Sequence, residues 1–264
     1  MRRTSTQHGR AHRNWRATLH NRPQPMTNTT FYKLGRLAGA KARKVQWMWN
    51  SLTGDDEKAI AAEYGVGQEM ATVVREQSGI EPDPELRLIL GNIRDRLSGV
   101  VRNKHHRFTI GLVRDELPTA YALPGGFIFV TRPLTTLCEH DEDSLAFVVA
   151  HEMAHVIRRH AIQRVLRQTA FAAASMVAPG RGSVGPWLRK VGVEWLERAY
   201  SRGQEFEADA LGVLLTKAAG FDPAGAERLF EQLQTLDGKD GGLGAYLSTH
   251  PPVGERIAAL RKQT

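Results

Sequence analysis

Cysteine is nearly absent from this chain of 264 residues, which contains a single one at Cys138. An internal disulfide is therefore excluded, and such low cysteine usage suits a reducing compartment. We predict that Cys138 is a small core residue and not a nucleophile, because buried free cysteines usually behave as small apolar side chains.

Long apolar runs are also absent. The longest apolar run without a charged residue is 169–179, whereas a membrane-spanning helix needs roughly 18 to 20 apolar residues. No N-terminal stretch resembles the apolar core of a signal peptide. We therefore expect a protein that is cytoplasmic or peripheral to a membrane.

Acidic residues are missing from residues 1–54, which contain 11 lysines and arginines. This segment therefore carries a charge of +11 and the rest of the chain a charge of −3, which together give the net charge of +8. Because the basic character is local, the charge disfavours a nucleic-acid-binding role for the whole protein.

The basic segment divides into two parts. Residues 1–28 have little apolar periodicity and are predicted to be disordered; a transit peptide and a true start at Met26 are the open alternatives. Residues 29–54 are predicted to form a basic amphipathic helix, best defined at 31–52. This helix would either lie on an anionic membrane surface as a peripheral contact or, as we favour, pack against its own domain.

The rest of the chain, 55–264, is predicted to be one domain of helices and a small sheet. Pro124, Gly125 and Gly126 interrupt the second strand run, either as a plain hairpin turn or to let an extended substrate approach the strand. The predicted helices are 55–77, 83–101, 132–139, 143–159 (with Asp143 or Ser144 as N-cap), 162–178 and 187–198; the strands are 107–114 and 120–131, and 179–186 is a loop.

The predicted helix 143–159 carries the motif HEMAH. His151 and His155 are four residues apart and share a helical face, so both imidazoles can reach one metal ion. Glu152 lies one step round, where it can contact a water on that metal without being a ligand. The pattern is typical of zinc hydrolases. His160 lies on another face, and we predict a structural role for it.

A third ligand is required, because zinc that catalyses hydrolysis keeps three protein ligands and one open position. The stretch 201–212 offers Glu205 and Asp209, four residues apart on a predicted helix. One carboxylate can bind the metal while the other accepts the remaining ring N–H of a ligand histidine. Glu205 is the better candidate for the ligand, and Glu207 is predicted to be solvated.

Three motifs in order, HEMAH, EFEAD 50 residues later and STHPPVGERI at 248–257, resemble the M48 family of zinc metallopeptidases. The resemblance covers about 55–260. It is stronger to the Oma1- and BepA-like branch than to HtpX and Ste24, whose membrane spans this sequence lacks. It implies an α+β, mostly helical zincin domain of the gluzincin type, with a small β-sheet beside the HExxH helix.

The resemblance also implies a set of site residues. One Zn²⁺ per chain would be bound by His151, His155 and Glu205, with Glu152 as catalytic base and Asp209 supporting a ligand. His250 and Arg256 match family positions that lie over the metal and steady the transition state. In BepA-like members the corresponding histidine is thought to regulate access to the zinc.

The expected function is therefore that of a zinc-dependent endopeptidase that acts on protein or peptide substrates, in protein quality control. The alternative is a non-catalytic module, stabilised by zinc, with a chaperone-like or binding role.

Overall fold

A computed structural model describes residues 56–175 and 200–235, together with His250 and Arg256; for 168–175 and 234–235 it describes the backbone alone. The predictions for 1–28, 29–54, 179–186 and 187–198 lie outside these residues. In chain order the described residues form α1 (Asp56–Ser78), α2 (Pro84–Val100), β1 (Thr109–Val113), β2 (Ala120–Leu123), a 3-10 turn (Pro124–Gly126), β3 (Phe127–Thr131), α3 (Arg132–Leu137), α4 (Glu142–Ile157), α5 (His160–Ser175), α6 (Arg202–Ala218) and α7 (Ala224–Thr235).

The three strands form one sheet in the order β1-β3-β2. β1 runs parallel to β3, with Thr109 opposite Phe127, and β2 runs antiparallel to β3, with Tyr121 opposite Phe129. The predicted α+β class, mostly helical with a small sheet beside the HExxH helix, is thereby confirmed.

The break between β2 and β3 is a tight turn. Gly125 and Gly126 have φ angles of 74° and 91°, which side chains with a Cβ rarely adopt. A Cβ on Gly125 would collide with the backbone of Tyr64 in α1, and one on Gly126 with the carbonyl of Arg107. The two glycines thus allow close packing within the domain, as the hairpin alternative requires.

Helix α4, which carries the HEMAH motif, begins earlier than predicted. Its N-cap is Asp141, whose carboxylate accepts a hydrogen bond from the backbone N–H of Ser144 at 3.2 Å. The predicted caps, Asp143 and Ser144, are wrong and lie in the first turn. Asp141 satisfies an N–H that would otherwise lack a partner at the helix start.

Two apolar clusters cover the two faces of the sheet, because alternate strand residues point to opposite sides. One cluster joins the sheet to α2, α4, α6 and α7, and the other joins it to α1 and α5. Helix α4 is buried at every position from Ser144 to Val156.

Cys138 is fully buried in the first cluster, and burial raises the pKa of its thiol to about 12. It is a core residue, as predicted. None of the described helices is both long and apolar enough to span a bilayer.

Helix α4 is anchored to α1 at its C-terminal end. Arg159, with a φ of 62°, turns the chain into α5 and donates hydrogen bonds to the buried Glu63 carboxylate at 2.7 and 2.8 Å. Burial raises the pKa of Glu63 from 4.5 to about 7, and the nearby Arg159 charge only partly offsets that effect.

We expect the stability of this anchor to depend on pH. Because the pKa of Glu63 is higher in the folded protein, its contribution is complete below the unfolded value of 4.5 and is lost as the pH rises through about 7. Relative to Glu63→Gln, the wild type should lose free energy of unfolding between these pH values, with a slope of up to about 1.4 kcal/mol per pH unit. Urea unfolding of both proteins measures the difference. If the wild type instead gains free energy of unfolding relative to Glu63→Gln as the pH rises, the ion pair outweighs burial.

Candidate metal centre

Three of the predicted site residues meet where α4 packs against α6. The Nε2 atoms of His151 and His155 are 3.0 Å apart. Oε1 of Glu205 lies 3.4 Å from Nε2 of His155, and Oε2 of Glu205 lies 3.6 Å from Nε2 of His151. All three side chains are almost completely buried. Two ring nitrogens and a carboxylate therefore converge on one point.

The opposite ring nitrogen of each histidine also has a neighbour. Nδ1 of His151 lies 2.9 Å from Oδ1 of Asp209, although the two atoms do not form a regular hydrogen bond. Nδ1 of His155 lies 3.1 Å from Nδ1 of His160. The ring of Tyr200 stacks on His155 at a centroid distance of 3.8 Å. These contacts turn both Nε2 atoms toward Glu205.

His250 is a further neighbour of the atoms that converge between α4 and α6. Its Nδ1 is 3.1 and 3.2 Å from the Glu205 oxygens and 3.4 Å from Nε2 of His151. Its Nε2 is 3.4 Å from Oε1 of Glu152 and 3.5 Å from the carbonyl oxygen of Ala120 in β2. His250 is thus a fourth possible donor and also a neighbour of the predicted base.

Arg256 holds the carboxylates of α6. Its guanidinium donates two hydrogen bonds of 2.7 Å to Asp209 and lies 3.0 Å from Oε2 of Glu205. A further hydrogen bond of 3.1 Å reaches the carbonyl of His250, and the ring of Phe230 lies beneath the guanidinium. Arg256 is completely buried, and these polar contacts join it to Asp209, Glu205 and His250.

The charges around the centre favour ionised carboxylates. Burial alone would raise the pKa of Glu205, but His250, His155 and Arg256 together hold it well below its usual range. Burial would also raise the pKa of Asp209, but the nearby charge and hydrogen bonds of Arg256 lower it to about 2. Burial lowers the pKa of His155 well below its usual value, which favours its neutral form. Neutral imidazole and ionised carboxylate are the forms that bind metals.

Glu152 is buried beside the possible metal ligands, but its carboxylate is not one of the four groups that converge. Oε2 of Glu152 has no hydrogen-bond partner among the described residues, while its other oxygen faces His250. A buried carboxylate oxygen without a partner is costly, and it is free to accept a proton.

The sequence profile of peptidase family M48 matches residues 90–264 of this chain. The chain belongs to peptidase family M48. Within M48 it is 31% identical over 179 residues to the mitochondrial metalloendopeptidase OMA1 of Schizosaccharomyces pombe, covering 66% of this chain and 52% of that protein. It is 26% identical over 215 residues to the beta-barrel assembly-enhancing protease of Escherichia coli, covering 75% of this chain and 44% of that protein.

These relatives confirm the predicted Oma1- and BepA-like branch of M48. The metalloendopeptidase OMA1, mitochondrial, of Homo sapiens is 29% identical over 168 residues, which are 58% of this chain and 32% of that protein. The chain spans about half the length of these relatives, or less.

M48 is a family of metallopeptidases, so membership implies a metal cofactor, and the described residues fit one. His151, His155, Glu205 and His250 each offer a ligand atom, and these atoms lie within 4.8 Å of one another. Imidazole nitrogens with a carboxylate suit zinc and similar divalent ions. Four such groups buried together are costly unless they are bound to something.

All seven predicted site residues of this M48 chain therefore lie together, and their individual roles stay predictions. Two neighbours were not predicted as part of the site. His160 is predicted to have a structural role because it lies on another helical face than His155. The turn at Arg159, which brings it against His155, has no sequence signal. Tyr200 belongs to no motif; its only cue is its position directly before Ser201, the N-cap of α6.

Proposed function

We propose that this chain is a zinc-dependent endopeptidase that hydrolyses peptide bonds in protein or peptide substrates, in protein quality control. The observation that carries the proposal is the convergence of the two α4 histidines with Glu205 of α6, beside Glu152, whose Oε2 has no partner among the residues that the structure describes. Both halves of a hydrolytic site, donors for a metal and a general base, are thus neighbours.

His151, His155 and Glu205 would hold the zinc, which when bound polarises the scissile carbonyl and lowers the pKa of a water molecule. Glu152 accepts the proton of the attacking water and passes it to the leaving amine. Its position next to His151 supports this role, because Glu152 lies in the part of α4 that is buried at every position, from Ser144 to Val156.

Asp209 and Arg256 would act by positioning. The two carboxylates of α6 are ionised and like-charged, and the guanidinium that contacts both offsets part of their repulsion. Its contacts therefore favour fixing Glu205 and Asp209 over a direct contact with the transition state. His250, which lies 3.4 Å from Glu152, is better placed to contact a developing oxyanion once it moves off Glu205.

The outer edge of β2 would hold an extended substrate. The backbone N–H of Thr131 donates to the carbonyl of Thr119 at 3.1 Å. Because hydrogen-bonded and non-bonded pairs alternate in an antiparallel ladder, the peptide groups of Ala120 and Ala122 point away from β3. A peptide could pair with them by main-chain hydrogen bonds.

Two buried side chains occupy that edge. Arg164 donates a hydrogen bond of 2.9 Å to the carbonyl of Ala122, and Nε2 of His250 lies 3.5 Å from the carbonyl of Ala120. A substrate that pairs along the whole of β2 must displace both, so we infer that substrate entry and movement of His250 are coupled.

One observation favours a second candidate function, a non-catalytic module stabilised by zinc. His250 supplies a fourth donor within 4.8 Å of the other three, and closed four-ligand zinc sites are structural. In that case the metal would stabilise the fold and no position would be left for water.

Metal removal distinguishes the two functions. For the endopeptidase we expect about one zinc per chain and cleavage of unfolded casein, which stops with 1,10-phenanthroline and returns on adding zinc. Metal content by mass spectrometry and casein cleavage by gel measure both. Bound zinc with no cleavage would favour the non-catalytic module, and a chain that binds no zinc would exclude both functions.

A further inference from the structure

A chain of polar contacts leads from the second α4 histidine to the protein surface, and the proposed mechanism does not use it. Nδ1 of His155 lies 3.1 Å from Nδ1 of His160. Nε2 of His160 lies 3.5 Å from Oε2 of Glu207. His155 and His160 are buried, whereas the side chain of Glu207 is 59% exposed.

A metal bound to His155 determines which nitrogen donates and which accepts in these contacts. A histidine that binds a metal through Nε2 keeps its single ring proton on Nδ1. Nδ1 of His155 must therefore donate, and Nδ1 of His160 must accept. His160 can accept there only when its own proton is on Nε2, the atom that faces the Glu207 carboxylate. Each link of the chain thus has the orientation that the next link requires.

The opposite orientation would disable the ligand. If His160 donated from Nδ1, His155 would accept with Nδ1 and carry its proton on Nε2, which points at Glu205 and His151. Without the metal, the Glu205 carboxylate beside Nε2 of His155 favours this second orientation. Glu207 opposes it, because an acceptor beside Nε2 of His160 favours a proton on that atom.

We propose that His160, oriented by Glu207, is a positioning residue that keeps the Nε2 lone pair of His155 directed at the metal; this inference rests on the proposed function. The stacked ring of Tyr200 completes the arrangement, because it limits rotation of His155 to the plane that meets His160.

Helix α6 then contributes three carboxylates to the centre and its supporting contacts within little more than one turn. Glu205 faces the metal-binding atoms, Asp209 faces Nδ1 of His151, and Glu207 reaches Nδ1 of His155 through His160. The EFEAD motif thus supplies one carboxylate to the metal and one supporting carboxylate for each α4 histidine. Glu207, predicted to be solvated, is exposed but has this contact.

Two variants of His160 test the proposal. Asparagine at 160 keeps an acceptor near the position of Nδ1, whereas leucine fills a similar volume without one. We expect His160→Leu to weaken zinc binding by about 10- to 100-fold, the usual cost of losing such a contact, and His160→Asn to stay within about 3-fold of the wild type by the same measure. The zinc dissociation constant is measured by competition with a chromophoric chelator, and thermal unfolding of the metal-free proteins checks the fold.

Two variants of Glu207 keep the test valid if His160→Leu does not fold. Glu207→Gln and Glu207→Ala lose the same charge, but only glutamine keeps an acceptor for His160. Alanine should weaken zinc binding by at least about 3-fold relative to glutamine, toward the lower end of that range. In the zinc-loaded wild type, ¹⁵N-histidine NMR should find the proton of His155 on Nδ1.

The outcomes separate this inference from the proposed function. A wild-type chain that binds no zinc would contradict the proposed function itself. Normal zinc affinity in a folded His160→Leu, or equal loss in His160→Leu and His160→Asn, would overturn the positioning role. Equal affinity of the two Glu207 variants would remove Glu207 from it.

Discussion

We expect the Glu152→Gln variant to bind zinc like the wild type and to lose nearly all peptide cleavage. Glutamine has the shape of glutamate but cannot accept a proton, and general-base catalysis is typically worth about 10²- to 10⁴-fold in rate. The metal should stay, because Glu152 is not among the four groups whose ligand atoms converge. Casein cleavage and zinc content, measured on the same preparation, test both parts.

The matched control for this variant is Glu142→Gln. Glu142 lies on the same helix, in its exposed first turn, ten residues before Glu152. It should keep both zinc and activity. Cleavage by Glu152→Gln above about a tenth of the wild-type rate, well outside the expected range, would remove Glu152 from its role as base. Loss of zinc would instead make it a ligand.

The sequence predicts best what a single helix determines. The four-residue spacing of His151 and His155, and of Glu205 and Asp209, places each pair on one face wherever the helix lies. The Nε2 atoms of the two histidines are indeed 3.0 Å apart, and the carboxylates of Glu205 and Asp209 both contact the guanidinium of Arg256. The motif order added His250 and Arg256 through the family resemblance, because neither has a local pattern that separates it from an ordinary loop residue.

The contacts between elements were not predictable in this way. Helix α6 reaches α4 so closely because Gly212 packs against it; a Cβ at that position would lie 3.3 Å from the backbone nitrogen of His151. The left-handed conformation of Arg159, which places His160 against His155, is set by packing and by the Glu63 ion pair. The N-cap of α4 differs from the prediction because Asp141, Asp143 and Ser144 are all good caps. Tertiary contacts separate them: Asp143 accepts a hydrogen bond from the backbone N–H of Asp222, whereas Asp141 accepts from the start of its own helix and from Arg228.

Loss of the metal is the second large effect, and we expect it from Glu205→Gln. A neutral amide is a poor ligand for zinc, whereas its shape fills the same space, so no cavity is left in the core. The substitution also leaves one acidic partner fewer beside Arg256, which lies 3.0 Å from Oε2 of Glu205. The Asp209 carboxylate still balances the charge of Arg256, so the site loses the negative charge that Glu205 would offer to the cation. Zinc affinity should fall by more than the roughly 10- to 100-fold that loss of a supporting contact costs.

The measurement for Glu205→Gln is the zinc dissociation constant, with thermal unfolding of the metal-free protein as a check on the fold. Glu85→Gln is the control, because Glu85 is also a glutamate in the first turn of a helix, exposed and outside the metal centre. It should bind zinc normally. If Glu205→Gln is folded and keeps its zinc, His250 is the third ligand in its place, since it is the remaining donor in the converging group. His250→Ala in the Glu205→Gln background would then release the metal, because the residue that we expect to move aside for substrate would have become a metal ligand.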